Sequence, residues 1–174
     1  SSKKYLDKAL DYFKNTKDFE KIGNILRHFG EGYMLMNDFT RAALKLEQAL
    51  NSYSAIKDPT VNYMYKSLID SHLGIVLFKK RDFIQAIKLF KSSLKYEKTA
   101  GGRAGTKIGS MLGLALIHES RHNFTIARSF FIGAEEESKK LGIRKGIVRL
   151  NVCMAVLKKD LLRSHLYGSI FNTS

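Results

Sequence analysis

Three stretches of this chain align without a gap: Asn37-Asp38-Phe39-Thr40-Arg41-Ala42, Arg81-Asp82-Phe83-Ile84-Gln85-Ala86 and His122-Asn123-Phe124-Thr125-Ile126-Ala127. Each places a short polar turn before an aromatic residue, then a small alanine three positions on. The alanines Ala42, Ala86 and Ala127 recur at intervals of 44 and 41 residues. Upstream of each turn a second register repeats: Leu26, Phe29, Gly30 and Tyr33 correspond to Asp70, Leu73, Gly74 and Leu77, then to Met111, Leu114, Ala115 and His118. Small residues at fixed places on both sides of a turn let two helices approach closely while bulky neighbours interdigitate. One such helix-turn-helix cannot bury its apolar face alone, but stacked copies can. The repeat therefore predicts an all-α chain and excludes a sheet-based architecture.

Composition agrees with helices. There is one proline and no tryptophan among 174 residues, and the sequence is rich in Leu, Ile, Ala, Lys and Glu. The apolar runs are interrupted by His, Lys or Glu every few positions, far short of the roughly 18 residues of a membrane span. Ten residues around Lys57-Asp58-Pro59-Thr60 read as a helix end, a turn and a restart, because proline resists continuation of a preceding helix. The second breaker, Thr99-Ala100-Gly101-Gly102-Arg103-Ala104-Gly105-Thr106, is glycine-rich. It lacks the spacing, lysine and preceding strand of a phosphate-binding loop, so it reads as a turn.

The organisation expected is a single domain over residues 1–174. It contains a partial unit at 3–22 and units at about 23–60, 61–104, 105–140 and 141–174. Residues 3–14 read as the second helix of a unit whose first helix is missing, because Leu6, Ala9 and Leu10 match Leu46, Ala49 and Leu50. A start in mid-repeat implies a piece of a longer protein, with open ends able to stack on a second copy. Near the C-terminus, Lys159-Asp160-Leu161 echoes the turn of Arg81-Asp82-Phe83, with Val148 to Leu157 as the helix before it. That makes a fourth, capping unit.

The small residue Gly30, Gly74 or Ala115, the aromatic Phe39, Phe83 or Phe124, and Ala42, Ala86 or Ala127 together make this pattern resemble the tetratricopeptide repeat family. The resemblance covers residues 23–135 most closely. It departs from the family in lacking the early tryptophan, replaced by Leu26, Asp70 and Met111, and the closing proline, and in having a period longer than 34 residues. The resemblance implies a right-handed superhelical solenoid of antiparallel helix hairpins. It also implies a concave surface lined by the first helix of each hairpin, which holds a protein or peptide. Carried over position by position, the lining residues are Asn24, Arg27, His28, Glu31 and Leu35, then Leu68, Ser71, His72, Ile75 and Lys79. The third unit contributes Gly109, Leu112, Gly113, Leu116 and Ser120. The bland alternative is that this surface packs against missing neighbouring parts of the chain, beyond the sequence at hand. The family's basic clamp for acidic chaperone tails is not reproduced, since Arg27, Glu31 and His72 stand where lysine and asparagines would. Glu31 there is expected to repel a carboxylate. His28 and His72 share one repeat position, which brings two imidazoles near each other.

His118-Glu119-Ser120-Arg121-His122 matches the H-E-x-x-H zinc-protease spacing. That motif needs both imidazoles on one continuous helical face with the glutamate as general base. In the repeat register His122 falls at the turn, so the helix is expected to stop there. No third ligand follows at a suitable spacing. The reading is a non-enzyme with no metal and no cofactor. The lone Cys153 reads as a buried structural thiol, in keeping with a reducing compartment. Asn123-Phe124-Thr125 and Asn172-Thr173-Ser174 are glycosylation-type triplets that carry little weight.

The net charge of +14 favours acidic partners. An acidic peptide or protein is expected first. Nucleic acid bound by a basic helical surface is the alternative, with Tyr53, Tyr63, Tyr65 and Tyr96 as candidate stacking residues. A sensor for a short signalling peptide is a third reading. The expected location is the cytoplasm, with the nucleus as the alternative.

Overall fold

In the computed structural model, residues 2–101, 104–142 and 152–171 are described. They form α1 (Ser2–Thr16), α2 (Phe19–Leu35), α3 (Phe39–Ser54), α4 (Pro59–Lys79), α5 (Phe83–Ala100), α6 (Ala104–Ser120), α7 (Phe124–Lys140), α8 (Val152–Arg163) and α9 (His165–Phe171). None of these helices is long and apolar enough to cross a membrane. Residues 143–151 and the triplet at 172–174 lie outside the described residues, as do Gly102 and Arg103 of the second breaker.

Four turns are built alike. Lys17, Asn37, Arg81 and His122 each adopt positive φ, between 55° and 64°. The residue after each, Asp18, Asp38, Asp82 or Asn123, donates its backbone N–H back to the carbonyl of Phe13, Tyr33, Leu77 or His118, at 3.2, 2.9, 2.9 and 2.9 Å. This is the Schellman arrangement, which satisfies orphan carbonyls at a helix end. The same residue then starts the next helix. The carboxylates of Asp18, Asp38 and Asp82 accept from the backbone N–H of Lys21, Arg41 and Gln85 at 3.1, 3.0 and 3.2 Å. The repeat's turn residue thus closes one helix and opens another. The α1–α2 connection has the same geometry as the three turns seen in the repeat.

Where the chain leaves a hairpin, the junctions are looser. Asp58 caps α4 by accepting from Thr60 and Val61, with Pro59 in its first turn. Gly101, at φ 62°, ends α5. Both breakers read from the sequence are therefore helix boundaries.

Adjacent helices pack as hairpins: α2 with α3, α4 with α5 and α6 with α7. The pairs α3–α4 and α5–α6 join one hairpin to the next, and α1 lies on α2. The small residues mark close approach. A Cβ on Gly30 would lie 2.7 Å from the side chain of Leu46, and one on Gly74 would lie 2.7 Å from Phe90. Gly113 meets the same ring from α6, so a Cβ there would sit 2.3 Å from Phe90. Phe90 is fully buried and fills the space that two glycines leave, one on each neighbouring helix. Ala42, Ala86 and Ala127 are fully buried too.

The C-terminal region differs from the expected fourth hairpin. Lys159-Asp160-Leu161 lies inside α8, not in a turn, and the helix breaks only at Ser164. The apolar period continues through that stretch, since Met154, Leu157 and Leu161 are all fully buried on one side of α8. Instead of stacking only on the preceding unit, α8 packs against α2, α4 and α6 together. Helix α9 turns onto α7, where Tyr167 stacks on Phe171 with ring centres 4.5 Å apart and reaches Phe131 at 6.0 Å.

Candidate functional site

The lining positions carried over from the tetratricopeptide pattern lie on α2, α4 and α6, the helices of the three hairpins against which α8 packs. Most are covered. Ser71, Ile75 and Leu112 are fully buried, and Leu68, Leu116, Arg27 and His72 nearly so. Leu35, at the end of α2, stays exposed, as does His28. Asn24 accepts the hydroxyl of Tyr53 at 2.9 Å. Burial pushes the Tyr53 hydroxyl up to about 12, so it remains a donor at neutral pH.

At the centre lies one carboxylate and three cationic or titratable neighbours. Arg27 and Glu31 stand one helical turn apart on α2 and form an ion pair through Nη1 and Oε1. Oε1 also receives Nε2 of His72, at 3.2 Å from α4, and Oε2 lies 3.0 Å from Nδ1 of His28. His72 turns its other nitrogen, Nδ1, to the carbonyl of Leu68 at 2.7 Å. A ring whose two nitrogens both face acceptors donates from both, which is the imidazolium form. Burial works against that charge, but Cys153 and then Glu31 beside the ring hold it up to about 10. Burial likewise works to raise Glu31, and His72 followed by Arg27 pulls it down to about 2.

The two equivalent histidines are thus brought together, and what they grip is Glu31 itself. The expectation that Glu31 repels an incoming carboxylate is corrected on this point, because Arg27 and His72 neutralise it. In the second unit Asp70 stands where the tetratricopeptide pattern has a tryptophan. Asp70 is buried and accepts from Lys66 at 3.1 and 3.2 Å and from Ser92 at 2.5 Å.

Helix α8 covers this cluster. Cys153 sits against a notch made by small groups: a Cβ on Gly109 would lie 3.5 Å from both the Cβ of Cys153 and the hydroxyl of Ser71. About two turns further on, Asp160 forms an ion pair with Lys79. Past Ser164, the N–H of Leu166 reaches Glu119 at 3.4 Å. A cavity of about 360 Å³ opens beside this end of α8, bounded by Phe78, Lys79, Leu116, Glu119, Asp160 and Arg163 among others. Sequence reasoning did not find Cys153 and Asp160 as part of this surface. Their only signal is an apolar face at 153, 154, 157 and 161 with one acidic residue beside it.

The H-E-x-x-H stretch is divided by its helix end. Helix α6 stops at Ser120, and His122 follows in the left-handed conformation with its ring edge-on to Phe124. The His118 ring stacks on Phe130, and burial, then Arg121 and Lys91, push its pKa down. Among the described residues no group of three or more His, Cys, Asp or Glu side chains is placed to hold a metal ion.

The four tyrosines divide in two. Tyr53 and Tyr65 are buried and stacked, with ring centres 3.9 Å apart and planes 1° from parallel. Tyr63 and Tyr96 remain at the surface, 5.2 Å apart, with Lys66 over the Tyr96 ring at 5.2 Å and Lys95 at 5.9 Å.

No family model matches this chain, and no curated protein matches it.

Proposed function

We propose that this chain is a protein-interaction module. Its hairpins form a solenoid of the tetratricopeptide kind, and its α2–α4–α6 surface is a receptor for a helical protein segment. The observation that carries this reading is α8 itself, a single amphipathic helix seated across the first helices of three successive hairpins. It buries Cys153, Met154, Leu157 and Leu161 there and leaves Lys158, Lys159 and Arg163 to solvent. Burying apolar side chains of that size is worth roughly 1.5–3 kcal/mol each, before the cost of ordering the helix. A surface that holds one helix in this way is chemically suited to hold another.

A nucleic-acid surface is the second reading, and the Tyr63–Tyr96 pair with Lys66 and Lys95 favours it. Stacking rings beside lysines are what a single strand requires. The pair lies on α4 and α5, away from the α8 contact.

Affinity capture from nuclease-treated lysate separates the two. The bait is wild type compared with a Leu157→Asp variant, in which a buried charge should lift α8. Circular dichroism verifies that the variant keeps its other helices. A protein enriched on the variant supports the receptor reading. Capture that disappears with nuclease and falls in Tyr96→Ala, regardless of α8, supports nucleic acid instead.

A further inference from the structure

We infer that α8 is an intramolecular competitor. The partner for which it stands in is an amphipathic helix that carries a small residue and, seven positions later, a carboxylate. This inference rests on the receptor reading above and specifies its partner. The small residue takes the place of Cys153 in the notch at Gly109 and Ser71, and the carboxylate takes the place of Asp160 on Lys79. Apolar side chains at the positions of Met154, Leu157 and Leu161 complete the match.

Three observations carry it. First, the Glu31 carboxylate beneath α8 takes its partners from α2 and α4. Glu31 is shared by Arg27, His28 and His72, and His72 also has the Leu68 carbonyl. Lifting α8 therefore strips no partner from that carboxylate, and a buried ion left uncompensated is what would otherwise make removal prohibitive. Second, at its far end α8 is tied to the surface by an ion pair that a foreign carboxylate can reproduce. Both of its side chains keep partial exposure, 20% for Lys79 and 29% for Asp160, so an incoming acid can reach the lysine. Third, the cavity beside Lys79 and Asp160 leaves room at that end of α8, where exchange of one carboxylate for another can begin.

Charge chemistry also selects among partners. Across α8 the outward residues Lys158, Lys159 and Arg163 are basic, and the molecule carries +14 overall. An acidic incoming helix is drawn to this face, and α8 is the less favoured occupant electrostatically because it adds its own cations.

The test uses the full chain and its single cysteine. Cys153 is 2% exposed under α8, so its rate of alkylation by N-ethylmaleimide at fixed pH reports how often α8 lifts. The probe is a fluorescent peptide of residues 152–163 with Cys153→Ser, so that it cannot itself be alkylated. Asp160→Lys places like charges at the Lys79 contact. It should raise alkylation and tighten peptide binding by about tenfold each, with helix content unchanged. Adding Lys79→Glu to Asp160→Lys should restore protection, and this rescue distinguishes a broken contact from general damage.

Alkylation that tracks global unfolding in urea, in wild type and variant alike, would make α8 part of the core and overturn the inference. Exposure of Cys153 without any binding of the peptide would also overturn it. That second result leaves the receptor reading to be judged by capture on the Leu157→Asp bait, so the two can fail separately.

Discussion

The Nε2 atom of His72 lies 3.2 Å from the Glu31 carboxylate, joining α4 to α2 by an ion pair almost closed to solvent. The two hairpins also meet through the Tyr65 hydroxyl, which donates to Glu20, and the Asn62 amide, which donates to the Tyr53 carbonyl, but this is the contact that carries a titrating pair. That pair has a definite pH range. Glu31 titrates near 4.5 in the unfolded chain and at about 2 when folded, so its stabilisation is present above 4.5 and lost as pH falls towards 2. His72 releases its proton near 6.5 when unfolded and at about 10 when folded, so its stabilisation is full below 6.5 and lost as pH rises towards 10. The urea midpoint should therefore peak between 4.5 and 6.5 as far as this pair decides it. His72→Gln should flatten the alkaline limb and cost about 3 kcal/mol near pH 6. Cys153→Ser should shorten that limb and leave the acid limb unchanged. An alkaline limb as steep in His72→Gln as in wild type would place its origin elsewhere.

Phe90 packs where Gly74 and Gly113 leave room. Gly113→Ala should destabilise by about 2 kcal/mol, because the new methyl has a ring in its way and Phe90 is closed in on every side. Phe90→Leu in the same chain should recover part of that loss, with a coupling of about 1 kcal/mol in a double-mutant cycle. Additive losses would show that the two side chains do not compete for one space.

The four left-handed turn residues differ in how well they tolerate that conformation. Arg81 and Lys17 carry side chains that strain it more than Asn37 does. Arg81→Gly should stabilise by about 0.5 kcal/mol, since relief of strain is partly offset by the freer unfolded chain. Asn37→Gly should change little. Thermal midpoints of the two variants, measured side by side, decide it, and a loss in Arg81→Gly would point to its guanidinium over the Phe83 ring, 6.0 Å from the ring centre, as the larger effect.

Three buried serines tie α4, α5 and α6 together. The Ser67 hydroxyl donates to the Ser93 carbonyl at 2.8 Å, Ser93 returns a bond to the Ser67 carbonyl at 2.8 Å, and Ser110 donates to the Ser93 hydroxyl at 2.9 Å. Ser93→Ala leaves Ser110 without its acceptor and should cost about 1–2 kcal/mol. Ser110→Ala should cost less, and the double variant should cost no more than Ser93→Ala alone. Simple additivity by chemical denaturation would argue that the hydroxyls act independently.

The hairpins were legible because their marks are local. A turn residue, an aromatic and a small residue at fixed spacing leave their trace in a short window. The left-handed Lys17 and Arg81 were not, because neither is a residue that favours that conformation. The place of α8 was not legible either. Lys159-Asp160-Leu161 imitates a turn by composition, and only the apolar face it shares with Met154 and Leu157 shows that the helix runs through. A helix laid across three others has no period relating it to them. The shared carboxylate was half legible: Arg27, His28 and Glu31 fall within one turn of α2, and His72 occupies the matching place on α4. What the sequence lacked was the distance between those helices, which decides whether Glu31 repels or is neutralised.

The shared caps have a mechanical consequence. Because Asp38 or Asp82 both terminates one helix and initiates the next, no residue within the bend is free to be added or dropped without damaging two helices at once. Each hairpin behaves as a stiff plate of fixed angle. Changes in length are left to the junctions between hairpins, at residues 55–58 and at Gly101, across which the spacing is 44 and 41 residues.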